Sequence, residues 1–194
     1  VHTVSGSTHS PGFVLIDGDT IKAVGPAKAQ PAAGEAQAVN LKGQHLYPGL
    51  IAPTTALGLM EIPAVRATVD TSEVGTYTPE VKSWLAVNPD SELIPVARAN
   101  GITHFLPVPQ GGTVTGQSGL MATAGWGYEN MLAHSPVALH LFWPSMNINP
   151  TADDAKKQAK ERDKRLKEID DCFEGARAYA KAQSAPHHKG VPSW

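Results

Sequence analysis

The chain changes character at Pro48-Gly49, and that change limits what it can fold into more than any other feature. Before it, short apolar runs alternate with turn residues: Val1 to Val4, Phe13-Val14-Leu15-Ile16, Ile21-Lys22-Ala23-Val24, and a pair around Val39-Asn40-Leu41 and Gln44-His45-Leu46-Tyr47. Asp17-Gly18-Asp19 and Lys42-Gly43 supply the residue types that tight hairpins between such runs demand. Between the hairpins, Pro26 to Ala38 is rich in Ala, Pro and Gly and reads as a surface connection. Residues 1–49 therefore predict part of a β-sandwich.

From Leu50 the apolar runs are separated by helical segments, as in the sequence of an α/β barrel. Leu50-Ile51-Ala52 is the expected first barrel strand and Ile102-Thr103-His104-Phe105-Leu106 the second, bounded by Pro107 and Pro109. Between them Asn88-Pro89 marks a helix start that runs to Asn100-Gly101, with Pro95 forcing a distorted first turn or a later beginning. Residues 110–130 read as a glycine-rich loop, and Pro136 to Pro144 as a strand buried on both faces, because its apolar run hardly alternates. A helix is expected over 151–183, opened by Thr151-x-x-Asp154. Its stripe Leu166, Ile169, Phe173, Ala176, Ala180 lasts about two heptads, too short for a coiled coil. That predicts an ordinary helix packing one end on the barrel, with a partner-binding helix as the alternative.

The expected fold class is thus α/β plus β: a partial β-sandwich over 1–49, then the start of a TIM-like (β/α) barrel over 50–194. A barrel of eight units takes about 250 residues, so 194 residues imply an incomplete fragment that exposes apolar edges and associates. A net charge of -2 without any block of like charges argues against nucleic acid as a partner. No apolar run reaches the roughly 18 to 20 residues that span a bilayer, so a soluble protein is expected, cytoplasmic or exported. A single cysteine, Cys172, allows no disulfide within the chain and reads as a small apolar helix residue.

The stretch Tyr47-Pro48-Gly49-Leu50-Ile51-Ala52-Pro53-Thr54-Thr55-Ala56 resembles the junction of the amidohydrolase superfamily, where a β-domain hands over to the first barrel strand as Pro-Gly-hydrophobic-Ile-Asp-x-His-x-His. The resemblance covers residues 1 to about 56 and extends more loosely through Gly101-Ile102-Thr103. It implies that strands returning after the barrel complete the β-sandwich. It also implies a hydrolase of the imidazolonepropionase-like branch, acting on C–N bonds in cyclic or linear amides with a divalent metal: zinc, manganese or iron. Thr54 and Ala56 stand at the two histidine positions and Ala52 at the aspartate position, so this segment offers no metal ligand on the first strand. The metal would come through residues outside it. The alternative is a non-catalytic barrel homologue that binds a ligand or a partner. The expected partners are a small-molecule substrate and the rest of the barrel, from a missing C-terminal part, another chain or further copies of this one.

No catalytic residue is assigned. Thr54 and Thr55 could hydrogen-bond a substrate at the barrel mouth or satisfy local backbone. Gln117, Ser118 and Trp126 bring an amide, a hydroxyl and an indole to a segment that follows a barrel strand, where such folds place function. Gly116-Gln117-Ser118-Gly119-Leu120 lacks the spacing of a nucleophile elbow, and no Lys follows a glycine as a phosphate loop requires. Of the eight histidines (His2, His9, His45, His104, His134, His140, His187 and His188), only His104 and His140 fall on barrel-strand candidates that could face a common cavity. His187-His188 reads as exposed. Glu61, Asp70 and Glu73 occupy the long loop after the first strand, where a general base is conceivable and solvation is the ordinary fate.

Overall fold

Two sheets form, one on each side of Leu50, in a computed structural model that describes residues 1–32, 34–148 and 154–185. The first is the antiparallel hairpin of β1 (Gly12–Asp17) and β2 (Thr20–Pro26), paired from Gly12↔Pro26 to Asp17↔Thr20. The Asp17-Gly18-Asp19 turn closes it as expected, with Gly18 at φ +58°. Two other strand expectations are corrected. Val1 to Val4 makes one bridge, His2↔Thr8, and then turns, because Val4 sits at φ +65°, where a β-branched residue cannot continue a strand. The Lys42-Gly43 turn forms, with Gln44 N–H donating to Leu41 O at 2.9 Å, but its flanks do not pair with each other. The return leg lies instead along the N-terminus, where His2 N–H donates to Leu46 O at 2.9 Å.

The second sheet has the order β3-β4-β5-β6. Strand β3 (Leu50–Thr55) runs parallel to β4 (Ile102–Pro107), with Leu50 opposite Ile102 and Ala52 opposite Phe105. Helix α1 (Leu93–Ala99) makes the crossover. It starts later than Asn88, since the Pro95 ring would collide with the carbonyl of Ser91 inside a longer helix. As the third helical residue, Pro95 lacks only a donor that has no intrahelical partner anyway. The Asn88 side chain instead accepts from Asp90 N–H at 3.0 Å, closing a local turn.

The middle of the expected glycine-rich loop is a strand. Strand β5 (Val114–Ala122) is the most buried in the sheet and pairs antiparallel with both β4 and β6 (Leu132–Leu141), the short helix α2 (Gly127–Met131) leading into β6. The strand-helix alternation of a barrel thus covers β3-α1-β4 among the described residues and gives way there to an antiparallel hairpin. Strand β6 is an edge and not a strand buried on both faces: Val137 and Leu139 are 45% and 47% exposed. Pro136 is tolerated at that edge.

The glycines earlier read as loop-formers serve close approach. Residues 71–82 lie alongside β5 through the parallel bridges Ser72↔Gln110, Tyr77↔Val114 and Lys82↔Gln117. Thr78 N–H donates to Val114 O at 2.8 Å, Val114 N–H to Thr76 O at 3.1 Å and Gln117 N–H to Val81 O at 2.7 Å. A Cβ on Gly112 would lie 2.7 Å from Thr76 O, and one on Gly116, at φ +119°, 2.6 Å from Val81 O. Any side chain there would push this strap off the strand.

The core lies on one face of the sheet. Phe105 and Met121, paired across β4 and β5, pack with Leu59, Trp84, Val87, Ile94 and Met131. Helix α3 (Ala155–Gln183) bears on the rest through its middle and not one end: Ile169 is buried and Leu166 half-buried, whereas Phe173, Ala176 and Ala180 are exposed. Ion pairs Lys164–Glu168 and Lys167–Asp171 join residues one turn apart along it. Cys172 is a half-buried free thiol on this helix. The Thr151 capping position lies outside the described residues. No helix among the described residues is long and apolar enough to cross a membrane.

Two glycine-to-alanine changes separate packing from propensity. Gly112→Ala forces a methyl against backbone and should cost about 1–3 kcal/mol. Gly175→Ala, mid-helix with nothing within 4 Å of the added Cβ, should gain about 0.5–1 kcal/mol. Urea denaturation of both variants beside the wild type measures the difference, and equal effects would refute the strap as described.

Candidate functional site

Three of the singled-out residues converge on the β5–β6 pair. Register sets Gly116 opposite His140 and Ser118 opposite Ala138, and Ser118 Oγ hydrogen-bonds His140 Nε2 at 2.7 Å across the strands. Gln117 points elsewhere and donates from Nε2 to Pro79 O at 2.9 Å, tying β5 to the strap. It also lines an open groove of about 340 Å³ with Pro79, Pro136, Val137, Ala138 and Leu139.

A serine hydroxyl held by an imidazole nitrogen is the first half of an activated nucleophile. Ser118 is 0% exposed, however, so no substrate carbonyl reaches its oxygen. The contact locks two strands and satisfies two polar groups that burial would otherwise leave unmade. Burial also lowers the His140 pKa and favours the neutral ring.

Thr54 and Thr55 lie at the end of β3, which β4 separates from β5. Thr55 is used locally: its Oγ1 accepts from Leu57 N–H at 3.1 Å and its carbonyl from Val108 N–H at 2.9 Å. Thr54 is exposed. Trp126 is 68% exposed at the turn into α2, where its carbonyl accepts from the Asn130 side chain. His104 pairs with Ala122 and His140 with Gly116, six residues apart along β5 and hence about 20 Å. These two histidines do not share a cavity. His187-His188 lies outside the described residues.

Asp70 and Glu73 line a second groove, about 440 Å³, under the strap. Glu80 and Lys82 join them there, which sequence reading missed because the strap folds residues 70–74 back against 78–86. Glu61 buries its Oε1 with no hydrogen-bond partner among the described residues. Tyr77, on the strap, has a raised pKa through loss of hydration, then Glu168 of α3, with Cys172 and Asp171 adding and Thr113 partly offsetting.

The metal implied by the junction resemblance would sit at the end of β3. Ala56 has no donor atom, Thr55 is engaged with backbone, and no three His, Cys, Asp or Glu side chains converge among the described residues. The side chains at this strand end do not fit a metal, so no chemical step is derived through one.

Comparison with known proteins gives the fold a relative. An amidohydrolase from Thermotoga maritima MSB8, of solved structure, superposes with a TM-score of 0.72 and 24% identity over 93% of this chain and 47% of that one. At that identity the likeness is one of fold: the chain has an amidohydrolase-like fold and spans about half the length of that protein. No protein-family sequence profile matches the chain. No curated protein sequence matches it either.

The Ser118–His140 contact has a pH signature. Because the folded pKa of His140 lies below its ordinary value of about 6.5, the unfolded chain takes up a proton that the folded chain refuses. Stability from this group is present above about pH 6.5 and falls as pH drops from there toward the folded pKa. Urea midpoints between pH 7.5 and 5 should fall less steeply in His140→Gln than in the wild type. Ser118→Ala, which strips His140 of its partner, should cost about 1–3 kcal/mol at pH 7.5.

Proposed function

We propose that this chain forms part of a hydrolase of amidohydrolase type, acting on C–N bonds of small non-peptide amides, cyclic ones among them. The observation that carries the reading is the superposition of nearly the whole chain on part of an amidohydrolase. The Pro48-Gly49-Leu50-Ile51 junction leading into β3 agrees with it. In the complete protein a TIM-like barrel would continue from β3-α1-β4, and a divalent metal, zinc, manganese or iron, would be held by residues outside 1–194. Leu50 and Ile51 on the edge strand β3 are 62% and 55% exposed, and Leu93 and Val96 of α1 are 45% and 56% exposed. Further barrel elements, from the same polypeptide, another chain or a second copy, would cover this surface. Thr54 and Gln117 are the side chains offered to substrate from this half.

A second reading, a non-catalytic homologue that binds a ligand or partner, is favoured by one observation: Thr54 and Ala56 stand where the junction pattern has histidines.

The test is elemental analysis of natural-length protein, purified without added metal or chelator and checked by size exclusion, together with amine release from a panel of cyclic and linear amides. The expected result is about one or two divalent ions per chain and turnover that a chelator abolishes. Folded, metal-free protein without turnover would leave the non-catalytic reading.

A further inference from the structure

We propose that His2 and His45 form a binding site for one divalent transition-metal ion of the zinc, nickel and copper group, clipping the N-terminal segment to the stretch that leads into β3. The two imidazoles come from segments 43 positions apart, and His2 Nε2 lies 2.8 Å from His45 Nδ1. The rings are close to coplanar, at an interplanar angle of 14°. Two imidazole nitrogens bound to one ion at 2.0–2.1 Å stand about 2.9 Å apart at a right-angled centre and about 3.3 Å apart at a tetrahedral one. The observed spacing is near the first value, and a swing of each ring by about 45° within its own plane turns the head-on hydrogen bond into a pair of nitrogens aimed at one ion.

Two further contacts bear on the His2 ring. Tyr47 stacks on it with centroids 4.2 Å apart and planes within 5°, which fixes the ring plane. His2 Nδ1 faces Thr8 Oγ1 at 3.5 Å, the outer limit of a hydrogen bond, which leaves that nitrogen on the side away from His45. With the His2 proton on Nδ1, Nε2 is the acceptor and His45 donates from its own Nδ1. Metal binding replaces that hydrogen bond. The His45 proton moves to Nε2 through solvent, and two neutral rings gain an ion with no net proton change. His45 is exposed and His2 half-exposed, so water can fill the remaining coordination positions. The site is separate from the sheet that carries β3 to β6 and does not rest on the hydrolase reading.

Paramagnetic Ni²⁺ titrated into the metal-stripped full chain, with histidine ring protons followed by NMR, locates the site. His2 and His45 should broaden before the other six histidines, with the Tyr47 ring affected alongside. His45→Gln should weaken Ni²⁺ binding at His2 about tenfold or more, and Zn²⁺ should displace Ni²⁺ competitively. The double variant His187→Gln/His188→Gln should leave the broadening at His2 and His45 unchanged. Broadening that begins at other histidines, or that persists at His2 in His45→Gln, would overturn the proposal. The wild-type titration decides the location even if a variant folds poorly.

Discussion

Strand β5 must find hydrogen-bond partners along both of its edges while Val114, Thr115 and Gly116 are withdrawn from water, and the arrangement of the second sheet depends on how it does so. Strand β6 covers one edge over most of its length. Strand β4 reaches the other edge only at Met121 and Ala122. The rest of that edge would be bare without the strap, which supplies carbonyls from Thr76 and Val81 and the amide of Thr78. Because backbone meets backbone, the strand can carry no side chain at the points of closest approach. Gly112 and Gly116 answer that requirement.

The strap also fixes the core. Its far end passes into a 3-10 turn, Ser83–Ala86, where Ser83 Oγ donates to Pro107 O at 2.5 Å. That bond holds Trp84 over Phe105 and Met121, so strap and core assemble together. Loosening the first removes the lid of the second. The helix side responds to the same element, since Tyr77 is placed where Glu168 and Asp171 of α3 act on its phenol.

What the sequence made legible is local. The β1–β2 hairpin follows from two apolar runs around Asp17-Gly18-Asp19, β3 and β4 from apolar runs bounded by proline or glycine, and α3 from its 3-4 spacing. What stayed hidden is nonlocal. Gly116-Gln117-Ser118-Gly119 reads as loop by propensity, and only the arrival of Val81 and Pro79 from some 35 to 40 positions earlier in the chain makes it a strand. The Ser118–His140 contact depends on a β5–β6 register with irregularities at three places, which no residue pattern encodes. His2, His45 and Tyr47 each lie in an apolar run of the sequence, but their meeting follows from how the return leg lies against the N-terminus.

The end of β3 shows why fold and chemistry come apart in this chain. Thr55 caps Leu57, the Ala56 carbonyl accepts from Leu59 N–H at 2.9 Å, and Gly58 at φ +75° completes the turn. That turn delivers Leu59, 2% exposed, into the core. A threonine and a small alanine suit this task, so the junction's backbone is held by hydrogen bonds and packing that need no imidazole. Backbone and site residues thus answer to separate constraints at this strand end. Parallel strands are usually covered on both faces, and β3, at the edge of its sheet, leaves Leu50 and Ile51, which point to opposite faces, 62% and 55% exposed.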